Sequence, residues 1–257
     1  MKRRHFMKAA GLLATVPMVE GIASVPPRTA GGKEIYDWRI YTLTTPEGNE
    51  LDSFYKDTLI PAYNRQGINV GAFKLYEEKD AAQRFYFFIY PDIATFHKVK
   101  HAIWDDDAFR KAAQPFYDKA AVSPVYKEFE SYLCEAFDKI PRLKMPDKDR
   151  TLFHLRHYRS PNEEANQRKV KMFNEAEMAI FDKVGIHPVC YGEVLSGPHL
   201  PSLMYLTWYK DKESHDASWK AFGSHPDWHA IKDLPAYAHT ATDNTNRILL
   251  PLAYSQI

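Results

Sequence analysis

The sequence predicts an α+β fold in which two tandem βαββαβ repeats pack sheet to sheet as an α/β barrel within one chain. Three observations carry this. The stretch Tyr36-Asp-Trp-Arg-Ile-Tyr-Thr-Leu43 returns as Phe153-His-Leu-Arg-His-Tyr-Arg-Ser160, so that Arg39 and Tyr41 recur as Arg156 and Tyr158 after 117 residues. Later landmarks keep nearly the same spacing: Gly67-Ile68 recurs as Gly185-Ile186 after 118 residues and Asp92 as Asp211 after 119. So small a drift across the whole unit is the signature of an internal repeat. Finally, the same succession of periodic segments follows each copy.

In the first copy, Glu34–Thr44 alternates apolar and polar residues and reads as a strand. Thr45-Pro46 has the form of an N-cap with proline in the first helical position. The helix that follows carries Leu51, Phe54, Tyr55, Thr58 and Ala62 on one side; Pro61 should bend its last turn and Gly67 ends it. Val70–Tyr76 is a second strand, Glu77–Ala82 a charged turn, and Arg84–Tyr90 a third strand, apolar on both faces. Asp92 caps a second helix running to about Lys119, and Val125–Phe137 is the fourth strand.

The second copy repeats the order. Strand one is Leu152–Arg159, and Ser160-Pro-Asn-Glu163 has the form of a capping box. Val170, Phe173, Ala176, Ile180 and Val184 form a helical stripe. Pro188–Leu195 and Leu203–Tyr209 are strands, Asp211 caps the next helix, and Arg247–Tyr254 is the last strand, with Pro251 placing it at an edge or bulge. Asp138–Arg150, polar and containing Pro141 and Pro146, is a linker by composition. The boundaries are therefore 34–137 and 151–257 for the repeats, with 138–150 between them.

The order βαββαβ is that of a ferredoxin-like unit. Right-handed crossovers give each sheet the strand order 4-1-3-2 with both helices on one face. The bare faces must then cover each other, and edge strands 4 and 2 can join across to close a barrel. Cys134 and Cys190 fall on edges that would meet, so a disulfide is one expectation and two buried thiols the other.

The chain has 257 residues, 45% hydrophobic and 26% charged, a globular composition. A net charge of +1 offers no basic field for nucleic acid, and no apolar run is long enough to span a bilayer. Residues 1–30 read as an export signal and leader. Lys2-Arg-Arg-His-Phe-Met-Lys8 resembles a twin-arginine signal, and a modest apolar region, Ala9–Val19, follows it. An exported, periplasmic protein is expected; a basic N-terminal arm is the alternative.

Trp38-Arg-Ile-Tyr-Thr-Leu43, Leu155-Arg-His-Tyr158, the helix ends at Gly67 and Gly185, and Phe222-Gly-Ser-His-Pro-Asp-Trp228 resemble the NIPSNAP family of the dimeric α/β-barrel superfamily. The second copy is the closer match. The resemblance implies the tandem barrel. Among superfamily relatives it points to cofactor-free monooxygenases, haem-degrading enzymes and lactone isomerases that use the barrel interior as a pocket.

Alternation divides each first strand into two faces. Tyr36, Trp38 and Ile40, with Phe153, Leu155 and His157, are expected to pack on the helices. Asp37, Arg39 and Tyr41, with His154, Arg156 and Tyr158, are expected to look into the barrel and bind ligand. Arginine supplies fixed donors for a carboxylate or enolate-like oxygen, and tyrosine a hydroxyl for an oxyanion. His154, Tyr41 and Tyr158 are the catalytic candidates, His154 because its ordinary pKa suits acid–base work. The same pairs could instead tie sheets together, Arg39 bridging to Asp37. The pairs His97/His101 and His225/His229 lack a third ligand at a recommending spacing, so no metal is expected, and no cofactor motif is present. The functional expectation is a small aromatic or carboxylated molecule bound in the barrel, with cofactor-free oxygenase or isomerase chemistry. The alternative is a non-catalytic binding or assembly module with a filled barrel. Oligomeric state is left open.

Overall fold

The computed structural model describes residues 32–77 and 82–257; the expected export signal lies outside the described residues. The first half runs β1 (Ile35–Leu43), α1 (Asn49–Phe54), a π-helical turn (Tyr55–Leu59), α2 (Ile60–Arg65), β2 (Asn69–Leu75), β3 (Gln83–Tyr90), α3 (Ile93–Asp105), α4 (Asp107–Val122) and β4 (Tyr126–Ala136). The second half runs β5 (Leu152–Arg159), α5 (Glu163–Met172), a π-helical turn (Phe173–Glu177), α6 (Met178–Val184), β6 (His187–Ser196), β7 (Ser202–Tyr209), α7 (Lys212–Ser224), α8 (Pro226–Ile231) and β8 (Asp243–Pro251). All strand pairings are antiparallel, and the eight strands close a barrel in the order β1-β3-β2-β8-β5-β7-β6-β4. The fold is thus a mixed α/β barrel with helices outside.

Local chemistry shifts several expected boundaries. Thr45 and Pro46 lie in a turn, and the first helix starts after Gly48, whose φ of 65° is left-handed. A side chain there would also strike Arg84 and Leu43, so glycine is required. In the second half the cap is Asn162, not Ser160: its side chain accepts from the Ala165 amide at 2.9 Å. Asp92 and Asp211 cap as expected, accepting from Thr95 and Ser214. The helix after Asp92 breaks at Asp106, which caps a new helix through the Phe109 amide. Both halves carry a π-helical turn at matching positions, and the second has no proline there, so Pro61 is not its cause.

The two seams between halves are short. β2 meets β8 only from Phe73–Pro251 to Leu75–Leu249. The C-terminal segment extends that seam, with Ser255 Oγ and Gln256 Oε1 accepting from the Ala72 and Val70 amides at 2.9 and 2.8 Å. Ile257 then plugs the barrel beside Gly71, where any Cβ would lie 2.8 Å from it. The segment between the halves is tethered as well: Glu34 accepts from the Leu143 amide, and Lys144 donates to the Val189 carbonyl. At the other seam the expected disulfide is absent. Cys134 and Cys190 are buried free thiols, and the Cβ position facing Cys134 belongs to Gly192.

The largest correction concerns which face points inward. The barrel interior is packed with Tyr36, Trp38, Ile40, Phe73, Phe85, Phe87, Phe153 and Leu155, among others from both halves. Trp38 stacks on Phe87 at 4.2 Å, and Phe73 meets Phe153 across the two halves at 5.0 Å. Arg39, Tyr41, Arg156 and Tyr158 sit on the opposite face, beneath the helices. Alternation fixes which side chains share a face but not which face turns in. An eight-stranded barrel is just wide enough for its own side chains and excludes water, so the more apolar set fills it. The crevice between sheet and helix is open at one side, and Arg39 keeps 18% of its side chain exposed there.

Candidate ligand pocket between sheet and helices

Beneath the helices of the first half lies a cavity of about 290 Å³. Its floor is the outer face of β1, with Arg39 and Tyr41; α1, the π turn and α2 add Phe54, Tyr55 and Tyr63. Lys100, Trp104, Phe116 and Tyr117 of α3 and α4 form the opposite wall. The π turn matters here, because it places Tyr55 against Tyr41 with their hydroxyls 2.8 Å apart and stacks its ring on Tyr86.

Arg39 is held from three sides. Its Nε donates to Asp37 Oδ2 at 2.9 Å, its Nη2 donates to the Tyr63 hydroxyl at 3.0 Å, and the guanidinium lies 3.9 Å over the Phe88 ring. Asp37 is positioned in turn by the Ser131 hydroxyl, which donates to Oδ1 at 3.0 Å. Burial raises the Tyr41 hydroxyl to about 12 and Tyr55 well above its ordinary range, so both stay protonated at neutral pH. The floor therefore presents donors: a fixed guanidinium and a phenol pair aimed into an aromatic cavity. Such a surface suits a flat ring carrying an oxyanion.

His154, Arg156 and Tyr158 occupy the matching positions beneath the helices of the second half, so the six residues form two separate groups and do not share one interior. The second crevice carries different side chains. Trp219 stands where the first half has Lys100 and lies 4.2 Å under the Arg156 guanidinium. Lys169 and Glu177 stand in place of Leu51 and Leu59 and form a buried ion pair at 2.9 Å. That ammonium is ringed by Phe173, Tyr158 and Trp228 at 4.9, 5.4 and 5.9 Å. Tyr158 takes Tyr205 as its hydroxyl partner at 2.9 Å.

His154 is tied into a histidine pair beneath the helices of the second half. Its Nδ1 lies 3.0 Å from His215 Nε2, and His215 Nδ1 lies 2.8 Å from Asp216. Burial, then Arg156 and His215, pull it down to about 2, so it is neutral under ordinary conditions. His97 and His101 lie ring to ring at 4.9 Å, and among the described residues no group of three or more His, Cys, Asp or Glu is placed to hold a metal. No helix among the described residues is long and apolar enough to cross a membrane. The residues missed from sequence are Tyr55, Tyr63, Trp104 and Tyr117. For Tyr55 and Tyr63 the available signal was tyrosine on the buried side of the first helix; Trp104 and Tyr117, on α3 and α4, carried none.

Residues 153–256 match the model of the NIPSNAP family. Three solved structures resemble most of the chain. A candidate monooxygenase from Fusobacterium nucleatum subsp. nucleatum is 13% identical, with TM-score 0.54, covering 86% of this chain and 93% of that one. An anthrone oxidase-like protein is 11% identical, with TM-score 0.56 and coverages of 86% and 92%. A candidate monooxygenase from Lactobacillus acidophilus NCFM is 9% identical, with TM-score 0.55 and coverages of 85% and 94%. At these identities the likeness speaks for the fold alone. No curated protein matches the chain.

Proposed function

We propose that this chain binds a small planar phenolic or carboxylated aromatic molecule in the first-half pocket and oxygenates it without a cofactor, using dioxygen. The observation that carries this reading is the aromatic cavity of about 290 Å³ floored by the Arg39 guanidinium and the Tyr41–Tyr55 hydroxyl pair. Arg39 and Tyr41 would hold the ligand's oxyanion and stabilise charge as electron density moves to oxygen. The pocket tyrosines are too weakly acidic to serve as bases at neutral pH, and Asp37 is engaged by Arg39 and Ser131. Substrates that ionise readily by themselves are therefore favoured. The names of the structural neighbours point the same way. The filled barrel interior and the want of a neutral-pH base favour, as a second reading, a module that binds such a ligand without turning it over.

One experiment separates these readings. Titration with 1-naphthol is expected to quench tryptophan fluorescence saturably, since Trp104 lines the cavity. Arg39→Gln should weaken binding about tenfold or more, the worth of a charge-assisted hydrogen bond. Oxygen consumption with anthrone supports oxygenation; saturable binding without consumption supports the binding module. No saturable binding of either probe overturns the pocket assignment.

We further propose that the two halves are ferredoxin-like repeats descended from a duplication, on the strength of their matched landmarks and matched π turns. Export to the periplasm is proposed from the twin-arginine segment. A tagged chain should appear in the periplasmic fraction shortened at its N-terminus, and replacing Arg3 and Arg4 by lysine should hold it in the cytoplasm. Full-length wild-type chain confined to the cytoplasm would refute export, and equal periplasmic amounts of the two forms would refute the twin-arginine route.

A further inference from the structure

The wall of the first-half cavity that faces Arg39 carries a second cation. Of the described residues lining the cavity, Arg39 and Lys100 are charged and none is acidic. The two cations differ in what they already hold. Arg39, on the floor, pairs with Asp37 at 2.9 Å and donates to the Tyr63 hydroxyl at 3.0 Å. Lys100 comes from α3 on the opposite wall and makes no ion pair among the described residues. Its ammonium lies 6.0 Å over the Phe96 ring.

The sequence of α3 leaves the ammonium free to meet a ligand. The residues three and four away are Phe96, His97, Ile103 and Trp104, so no carboxylate is placed to pair with it along the helix. Carboxylates on the neighbouring helices pair elsewhere: Glu50 with Lys119, Asp52 with Arg84, Asp106 with Arg65 and Asp107 with Arg110. Asp118 accepts from Gln114. The second half shows what the lysine replaces. Its matching residue, 119 positions on, is Trp219, whose ring lies 4.2 Å from the Arg156 guanidinium. An indole attracts a guanidinium, whereas an ammonium repels it. Wall and floor therefore stay apart in the first half until a negative group comes between them.

We infer that the pocket selects an aromatic acid whose ring also carries a hydroxyl on the side away from the carboxylate, with Lys100 as the specificity-determining residue. The inference rests on the reading of this cavity as the ligand pocket, and narrows it. The ring hydroxyl meets Arg39 and Tyr41 on the floor, and the carboxylate meets Lys100 on the facing wall. A cavity of about 290 Å³ is at the small end of ligand pockets, so one molecule reaches both ends. A simple phenol satisfies the floor alone. Lys100 is exposed, so its pair with the carboxylate is partly screened and is worth about fivefold in affinity, as in a favourable surface ion pair. It acts on binding of the carboxylate and takes no part in the step at the ring hydroxyl.

The test is calorimetric titration of the full chain with three probes at constant ionic strength. They are 1-naphthol; 5-hydroxy-1-naphthoate, whose carboxylate is on the ring away from the hydroxyl; and 1-hydroxy-2-naphthoate, whose two groups are adjacent. The second is expected to bind about fivefold or more tighter than either of the others. That ratio should fall toward one in Lys100→Met and persist in Lys100→Arg. Methionine is a good helix former at an exposed position, so the variant should fold. Saturable binding of 1-naphthol with a ratio near one in the native chain overturns the inference and leaves the pocket standing. A ratio undiminished in folded Lys100→Met, or equal binding of the adjacent isomer, does the same. No saturable binding of any probe overturns the pocket itself, and this inference with it.

Discussion

Trp38→Ala is expected to destabilise the chain by about 4 kcal/mol, the cost of removing a large aromatic from a core that cannot collapse around the gap. Trp38 is 1% exposed and packs against Phe87 and Phe73, whose rings touch others from both halves. The effect should therefore appear as one cooperative loss, with the midpoint of urea unfolding falling and the slope unchanged. A loss below about 1.5 kcal/mol would mean that the interior is loosely packed, and a ligand chamber inside the barrel would again be tenable. Arg39→Gln supplies the contrast. It sits on the other face, on the floor of the ligand pocket, so its effect should be larger on ligand binding than on stability.

That contrast shows what could be read from residues alone. Strand and helix order was legible because period and punctuation are local: β5 begins and ends at Leu152 and Arg159 as alternation indicated. The strand order in each half followed from crossover handedness. The inward face was not legible, because alternation separates Tyr36, Trp38 and Ile40 from Asp37, Arg39 and Tyr41 without saying which set faces the helices. The choice was made by closure of the barrel, a property of eight strands together. Nor could equivalent positions reveal that the halves had diverged. The change from Leu51 and Leu59 to Lys169 and Glu177 places an ion pair where the first half keeps a cavity. That pairing is visible only once helix and sheet are brought together. Sequence symmetry suggested one site with two chemically unequal halves, whereas packing sets the two groups apart beneath different helices, with a cavity over the first.

Acidification should destabilise the chain steeply between pH 6.5 and 4. His154 is held at about 2 and His157 at about 4, each below the ordinary 6.5 and each chiefly by burial. A histidine with a depressed folded pKa binds fewer protons folded than unfolded. Its contribution is intact above pH 6.5 and is lost as pH falls through the window toward the folded value. Each such group removes about 1.4 kcal/mol per pH unit, or about 3 kcal/mol by pH 4, and the two together about 6 kcal/mol. The aspartates with lowered pKa, Asp106, Asp211, Asp216 and Asp227, act only near and below their ordinary 3.8, so this window isolates the histidines. Glu193, raised by burial, opposes the trend over part of it. Urea midpoints measured from pH 7 to 4.5 test the prediction; His215, also lowered by burial and hydrogen-bonded to His154, adds to the same slope, so His154→Gln should reduce it and leave the part that belongs to His157. A flat profile would mean that the two imidazoles are solvated, and with that the closed barrel end at His157 would be lost.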